Sequence, residues 1–135
     1  MAQIIDNVNE KGRRPAMIPL FITCDPARDD PASLKKYLSG ISSLSLPNEE
    51  FHPDIIGLTG TYDDIKQTCK AFRVYFSTPP NVKPGQDYIV DHSIFFYLMD
   101  PENNFVEVYG RNLGAEEISK KIIGHINDWE KFHRK

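Results

Sequence analysis

The sequence predicts an α/β fold in which a mixed central sheet is flanked by helices, and three observations predict it. Apolar runs rich in branched and aromatic residues alternate twice with stretches of helical spacing, the grammar of βα units. Both of those helical stretches open on a capping signal, Asp30-Pro31 and Thr61. The last long apolar run, Ser93 to Met99, is closed by Asp100-Pro101-Glu102-Asn103-Asn104 and answered by the alternating segment Phe105 to Gly110, as two arms of a hairpin should be.

Taken in order, Ala2 to Gly12 has apolar residues at Ile4, Ile5 and Val8 and finishes on Lys11 and Gly12. That is a helix end without a helix start, and so short a helix is marginal by itself. The expectation is that Met1 is not the natural beginning of the domain. Met17 to Asp25 reads as a near-continuous apolar strand in which Pro19 is tolerable only near the start. After the polar loop 25–31, a helix is expected from Pro31 to Leu38 with Leu34, Tyr37 and Leu38 facing inward. Residues 40–50 are rich in serine without a period and read as an insertion loop.

Ile55 to Thr59 is expected to be a short buried strand. Thr61 then caps a helix from Tyr62 to about Phe72, with Asp63 and Asp64 at the positive end of its dipole and Ile65, Cys69 and Phe72 on one face. Val74 to Phe76 looks extended. Residues 77–88 form a proline-rich loop before the segment Asp91-His92, long enough to be functional or mobile. Finally Ile118, Ile122, Ile126 and Trp129 recur at helical spacing, giving an amphipathic helix from about Ala115. Its His125 and the tail residue His133 receive no function. The order βα, βα, hairpin, helix is the layout of the C-terminal portion of a thioredoxin-like domain.

Bulk properties narrow the function. With 135 residues the chain has room for one domain. An apolar fraction of 40% and a charged fraction of 26% are ordinary for a globular protein. Sixteen basic against nineteen acidic residues give a net charge of -3, which does not point to nucleic acid. The basic tail Lys131 to Lys135 reads as a solvated end. No apolar run approaches the roughly 20 residues that span a bilayer, and Met1 to Lys11 does not look like a signal peptide; a membrane anchor, if there is one, is absent from these residues. The two cysteines, Cys24 and Cys69, form no sequence motif for zinc or redox chemistry and read as small core hydrophobes.

The candidate functional residue is His92. It stands at the mouth of an apolar run that reads as a buried strand, a rigid platform from which an imidazole can be aimed as metal ligand or proton shuttle. A histidine hydrogen-bonded at a strand start is the competing reading. Asp91 beside it would orient the ring or tune its basicity, or simply cap a turn.

Several blocks, in order, resemble the Sco family of mitochondrial copper metallochaperones, close to its fungal members. They are Pro19 to Asp29 (PLFITCDPARD), Gly57 to Thr61 (GLTGT), Arg73 to Ser77 (RVYFS) and Asp87 to Ser93 (DYIVDHS). The resemblance implies a thioredoxin-like fold and a soluble domain facing the intermembrane space from the mitochondrial inner membrane. It implies an assembly factor, not an enzyme, that receives copper from an upstream soluble copper chaperone. Delivery is to the binuclear copper site of cytochrome c oxidase subunit II. Family members hold copper, Cu(I) first and Cu(II) as a second form, with the two cysteines of a Cys-x-x-x-Cys motif and one histidine. By that resemblance His92 is the metal ligand and Asp91 lies in its second shell, and soft thiolates with an imidazole suit Cu(I).

The departures matter. This sequence has no Cys-x-x-x-Cys, so it carries only the histidine ligand and the copper site is incomplete in it. The motif is expected upstream of the first helix, in a domain of which 1–135 is an incomplete part. Cys24 is not promoted to a substitute. Without a central strand the sheet is expected to expose apolar edges. Two alternatives stand beside copper delivery: a thioredoxin-like thiol-disulfide oxidoreductase, and an interaction remnant that docks without metal.

Overall fold

The computed structural model describes residues 1–9, 17–39, 51–77 and 87–133, apart from the side chain of Phe76. Along the chain the elements are α1 (Ala2–Asn9), β1 (Leu20–Ile22), α2 (Pro31–Leu38), β2 (Ile56–Leu58), α3 (Tyr62–Ala71), β3 (Phe76–Ser77), β4 (Asp91–His92), β5 (Phe96–Met99), β6 (Phe105–Tyr109) and α4 (Ala115–His133). They form two compact units, one of Met1–Pro19, Glu49–Asp54 and Ile94–Lys135, the other of Leu20–Asn48 and Ile55–Ser93. The serine-rich loop at 40–50, and 78–86 of the proline-rich loop, lie outside the described residues.

In the first unit, helix packs on helix and hairpin. Ile4, Ile5 and Val8 are buried along one face of α1, as their spacing predicts. Ile4 and Val8 share a cluster with Ile118 and Ile122 of α4 and with Tyr109 of β6. Each such side chain removed from water contributes about 1.5–3 kcal/mol before entropy is counted. Asn9 fastens the end of α1 by exchanging two hydrogen bonds of 3.1 Å with the backbone N–H and carbonyl of Met17. The β5–β6 turn is organised by Asp100, whose Oδ1 accepts from the N–H groups of Glu102 (2.9 Å) and Asn104 (2.8 Å). Asn103 takes φ 66°, a left-handed conformation that asparagine tolerates. Helix α4 runs past Trp129 to His133, so the basic tail is helical as far as that residue.

The second unit is built on the parallel pair β1–β2, with register Leu20↔Ile56, Phe21↔Gly57 and Ile22↔Leu58. A parallel pair needs a long crossover, and α2 lies within it. Asp30 caps α2 by accepting from the Ser33 N–H at 2.7 Å, with Pro31 in the first turn. Helix α3 opens on a complete capping box between Thr61 and Asp64. Glycine at 57 lets α2 lie close on the strand, because a Cβ there would stand 2.6 Å from Leu38 Cδ1 and 3.0 Å from Leu34 Cδ2.

Three expectations are corrected. Strand β2 is not buried: Ile56 and Leu58, with Leu20 and Ile22 of β1, lie on the face turned away from α2 and remain exposed. Tyr37 points outward, its ring tilted against that of Phe21 at 6.1 Å. The run from His92 to Met99 is not one buried strand. Its beginning pairs antiparallel with β3 and its end with β6, so the chain leaves one ladder before joining the other. Ile94 and Phe95, between the two ladders, stay exposed, and β5, paired among the described residues with β6 alone, is half-buried throughout. Among the described residues the strands form three two-stranded sheets, β1–β2 parallel and β3–β4 and β5–β6 antiparallel.

Candidate metal centre

His92 lies on a two-residue strand, exposed, in register with Phe76. Its Nδ1 is 3.0 Å from the carbonyl oxygen of Ser93. A carbonyl can only accept, so Nδ1 carries the proton and the neutral ring presents the lone pair of Nε2. That is the tautomer in which an imidazole binds a metal through Nε2. Asp91 is exposed and paired with Ser77, and successive strand residues point to opposite faces. The hydrogen bond that fixes the His92 ring therefore runs to Ser93 and not to the Asp91 carboxylate.

The other histidines are committed elsewhere. In His52 both nitrogens are engaged, Nε2 with Asp6 at 3.0 Å and Nδ1 with the Asp54 N–H at 3.1 Å. His125 Nε2 meets Glu107 at 2.8 Å. His133 stacks on Trp129 with 4.2 Å between centroids. Among the described residues no group of three or more His, Cys, Asp and Glu side chains is arranged to hold a metal. His92 thus offers one donor, and a full soft-ligand copper site does not fit this set of residues alone.

Cys69 is buried in the last turns of α3, and Cys24 is half-buried just past β1. Burial pushes both thiols up, and the charge of Cys69 adds to the rise at Cys24. Cys69 thus acts on Cys24 from 45 positions away in sequence, which no local motif announces.

Sequence reasoning also missed a polar network in the same unit. Thr23 and Asp25 are buried. Thr23 Oγ1 donates to Asp29 and accepts the Asp25 N–H at 2.9 Å. Asp25 Oδ2 accepts from Arg28 Nε, while Oδ1 accepts from the Tyr88 hydroxyl at 2.8 Å. Arg28 Nη1 reaches the Tyr88 carbonyl (2.8 Å) and Asp87 Oδ1 (3.2 Å), and its guanidinium lies 4.0 Å over the Tyr88 ring. The only signal in the sequence was that Asp25-Pro26-Ala27-Arg28 and Asp87-Tyr88 both belong to the blocks carrying the resemblance.

Among the described residues no helix is long and apolar enough to cross a membrane. A family model described as SCO1/SenC matches residues 1–127. The mitochondrial protein SCO1 of Saccharomyces cerevisiae is 61% identical over 111 residues, 82% of this chain and 34% of that protein. The crystal structure of yeast Sco1 with copper bound matches at TM-score 0.79 and 55% identity, over 93% of this chain and 64% of that one. That of Arabidopsis thaliana ScoI with copper bound gives TM-score 0.76 and 35% identity, over 94% and 71%. The chain spans about a third of the length of the yeast relatives it matches. Its mixed α/β architecture is thereby the thioredoxin-like one of the Sco1 structures. A match that runs from the first residue through α1, both βα units, the hairpin and most of α4 makes this chain a member of the SCO1/SenC family.

Proposed function

We propose that this chain is the histidine-bearing part of a copper-handling assembly factor whose cargo goes to the binuclear copper site of cytochrome c oxidase subunit II. The observation that carries the reading is the His92 ring: exposed, with Nδ1–H spent on Ser93 and Nε2 engaged by none of the described residues. The two solved relatives described as having copper bound support the same cargo. Mitochondrial relatives support work at the inner membrane, with the soluble part facing the intermembrane space. Copper would arrive from a soluble chaperone and leave by ligand exchange. Cu(I) holds thiolates more firmly than imidazole, so His92 is the donor that lets go first. Asp91, exposed at the neighbouring position, would act on the site through its charge, as a carboxylate outside the ligand set.

The oxidoreductase alternative needs a thiol activated at a helix start. Cys69 sits near the C-terminal end of α3 and Cys24 in a loop, and both thiols are shifted away from thiolate. A metal-free docking module is the second reading, favoured by the lack of a three-donor group among the described residues. Cu(I) titration of this chain, against the same chain joined to a Cys-x-x-x-Cys segment of the family type, separates the two. Copper delivery requires tight binding by the joined form that depends on His92; joined protein that binds no copper would leave only the docking module.

A further inference from the structure

We infer that Asp25, Arg28 and Tyr88 form a clamp that fixes the segment entering His92, making them positioning residues for its imidazole; this rests on the reading of His92 as the metal donor. The ladder that carries His92 is too short to hold itself. Strand β4 has two residues, paired among the described residues only to β3, and a two-stranded ladder of this length is marginal in water. Downstream it is fastened by the Ser93 N–H to the Tyr75 carbonyl at 2.9 Å and the Tyr75 N–H to Ser93 Oγ at 3.3 Å. Upstream, the next fixed point is Tyr88.

Tyr88 is gripped three ways by groups from the β1–α2 loop. Its hydroxyl donates to Asp25, its carbonyl accepts from Arg28, and its ring lies under the Arg28 guanidinium. Fastening backbone, ring and hydroxyl together leaves this residue little freedom to rotate. Asp25 is a sound anchor because it is 6% exposed and held from both sides. Its N–H meets Thr23 Oγ1, and its carbonyl accepts from the N–H groups of Arg28 (3.2 Å) and Asp29 (3.0 Å). Between Tyr88 and His92 the chain has at most about 14 Å of reach. Fixing Tyr88 therefore confines where the imidazole can go. Lysine could not replace Arg28, since one ammonium cannot serve Asp25 and the Tyr88 carbonyl in the planar geometry of the guanidinium while stacking on the ring.

The test is amide hydrogen exchange on the metal-free full chain. Arg28→Ala is expected to raise exchange of the Asp91 and Ser93 amides, the β4-side N–H groups that the register turns toward β3, about tenfold while those of α3 keep their protection, with Arg28→Lys restoring little of the loss. Unchanged exchange at Asp91 and Ser93 would overturn the clamp. Should Arg28→Ala loosen α3 as well, Tyr88→Phe decides on the same amides, because it removes one hydroxyl and leaves the ring. Copper binding plays no part in this readout, so a chain whose copper affinity ignores His92 would remove the metal reading and leave the clamp standing.

Discussion

Phe76 and His92 are register partners across the antiparallel ladder of β3 and β4, so the candidate metal donor is held by a backbone pairing between positions sixteen residues apart. An exposed ring on that ladder contributes almost nothing to packing. His92→Ala should therefore change stability by no more than about 0.5 kcal/mol. Thermal unfolding of the variant beside the parent chain checks this; a markedly lowered midpoint would mean that the imidazole is structural.

Glu107 gives the first unit a pH dependence. Lys121 at 2.8 Å, then His125 at 2.8 Å and the Tyr109 hydroxyl at 3.0 Å hold its carboxyl down at about 2. A folded-state value below the ordinary 4.5 means that this stabilisation is present above pH 4.5 and is lost as pH falls toward 2. Glu107→Gln should thus destabilise the chain near neutrality, and the gap to the parent should narrow steadily between pH 4.5 and 2. Denaturant midpoints measured across that range read it out, and a gap independent of pH would refute it.

Thr61→Ala removes the hydroxyl that accepts from the Asp64 N–H and donates to its carboxylate. The cost expected is about 1 kcal/mol, concentrated in α3. Urea unfolding gives the total, and amide exchange in the first turn of α3 gives the location. Full stability in the alanine variant would show that tertiary packing, and not the cap, holds that helix end.

Core burial separates two apolar residues of α4. Ile118 is 3% exposed within the α1–α4–β6 cluster, whereas Phe132 is 83% exposed. Ile118→Ala should cost about 2–5 kcal/mol and Phe132→Ala less than about 0.5 kcal/mol. Equal losses in equilibrium unfolding would contradict this packing.

What was legible in the sequence was local. The Asp30 and Thr61 caps, the Asn103 turn and the apolar faces of α1 and α4 are written within a few residues of where they act, and the structure has them where the sequence puts them. Strand partners are not written that way. The apolar run through His92 looked continuous because composition reports burial tendency, while the hydrogen bonds of its two ends go to β3 and β6. Faces of Ile56 and Leu58 that composition would bury stay open because α2 covers only the side of Gly57. The same limit hid the Asp25–Tyr88 bond, which spans 63 positions. His92 itself stood out at the mouth of an apolar run and again through its flanking block, and an Nε2 that none of the described residues engages became visible only once the Ser93 carbonyl had been placed.

The most direct measurement is a Cu(I) competition titration of this chain joined to a family-type Cys-x-x-x-Cys segment, with His92 and with His92→Ala. We expect one tightly held Cu(I) per chain, its affinity falling at least about tenfold in the variant while the fold is kept, as for loss of one soft-site ligand. Identical affinities with and without the imidazole would contradict His92 as the metal donor.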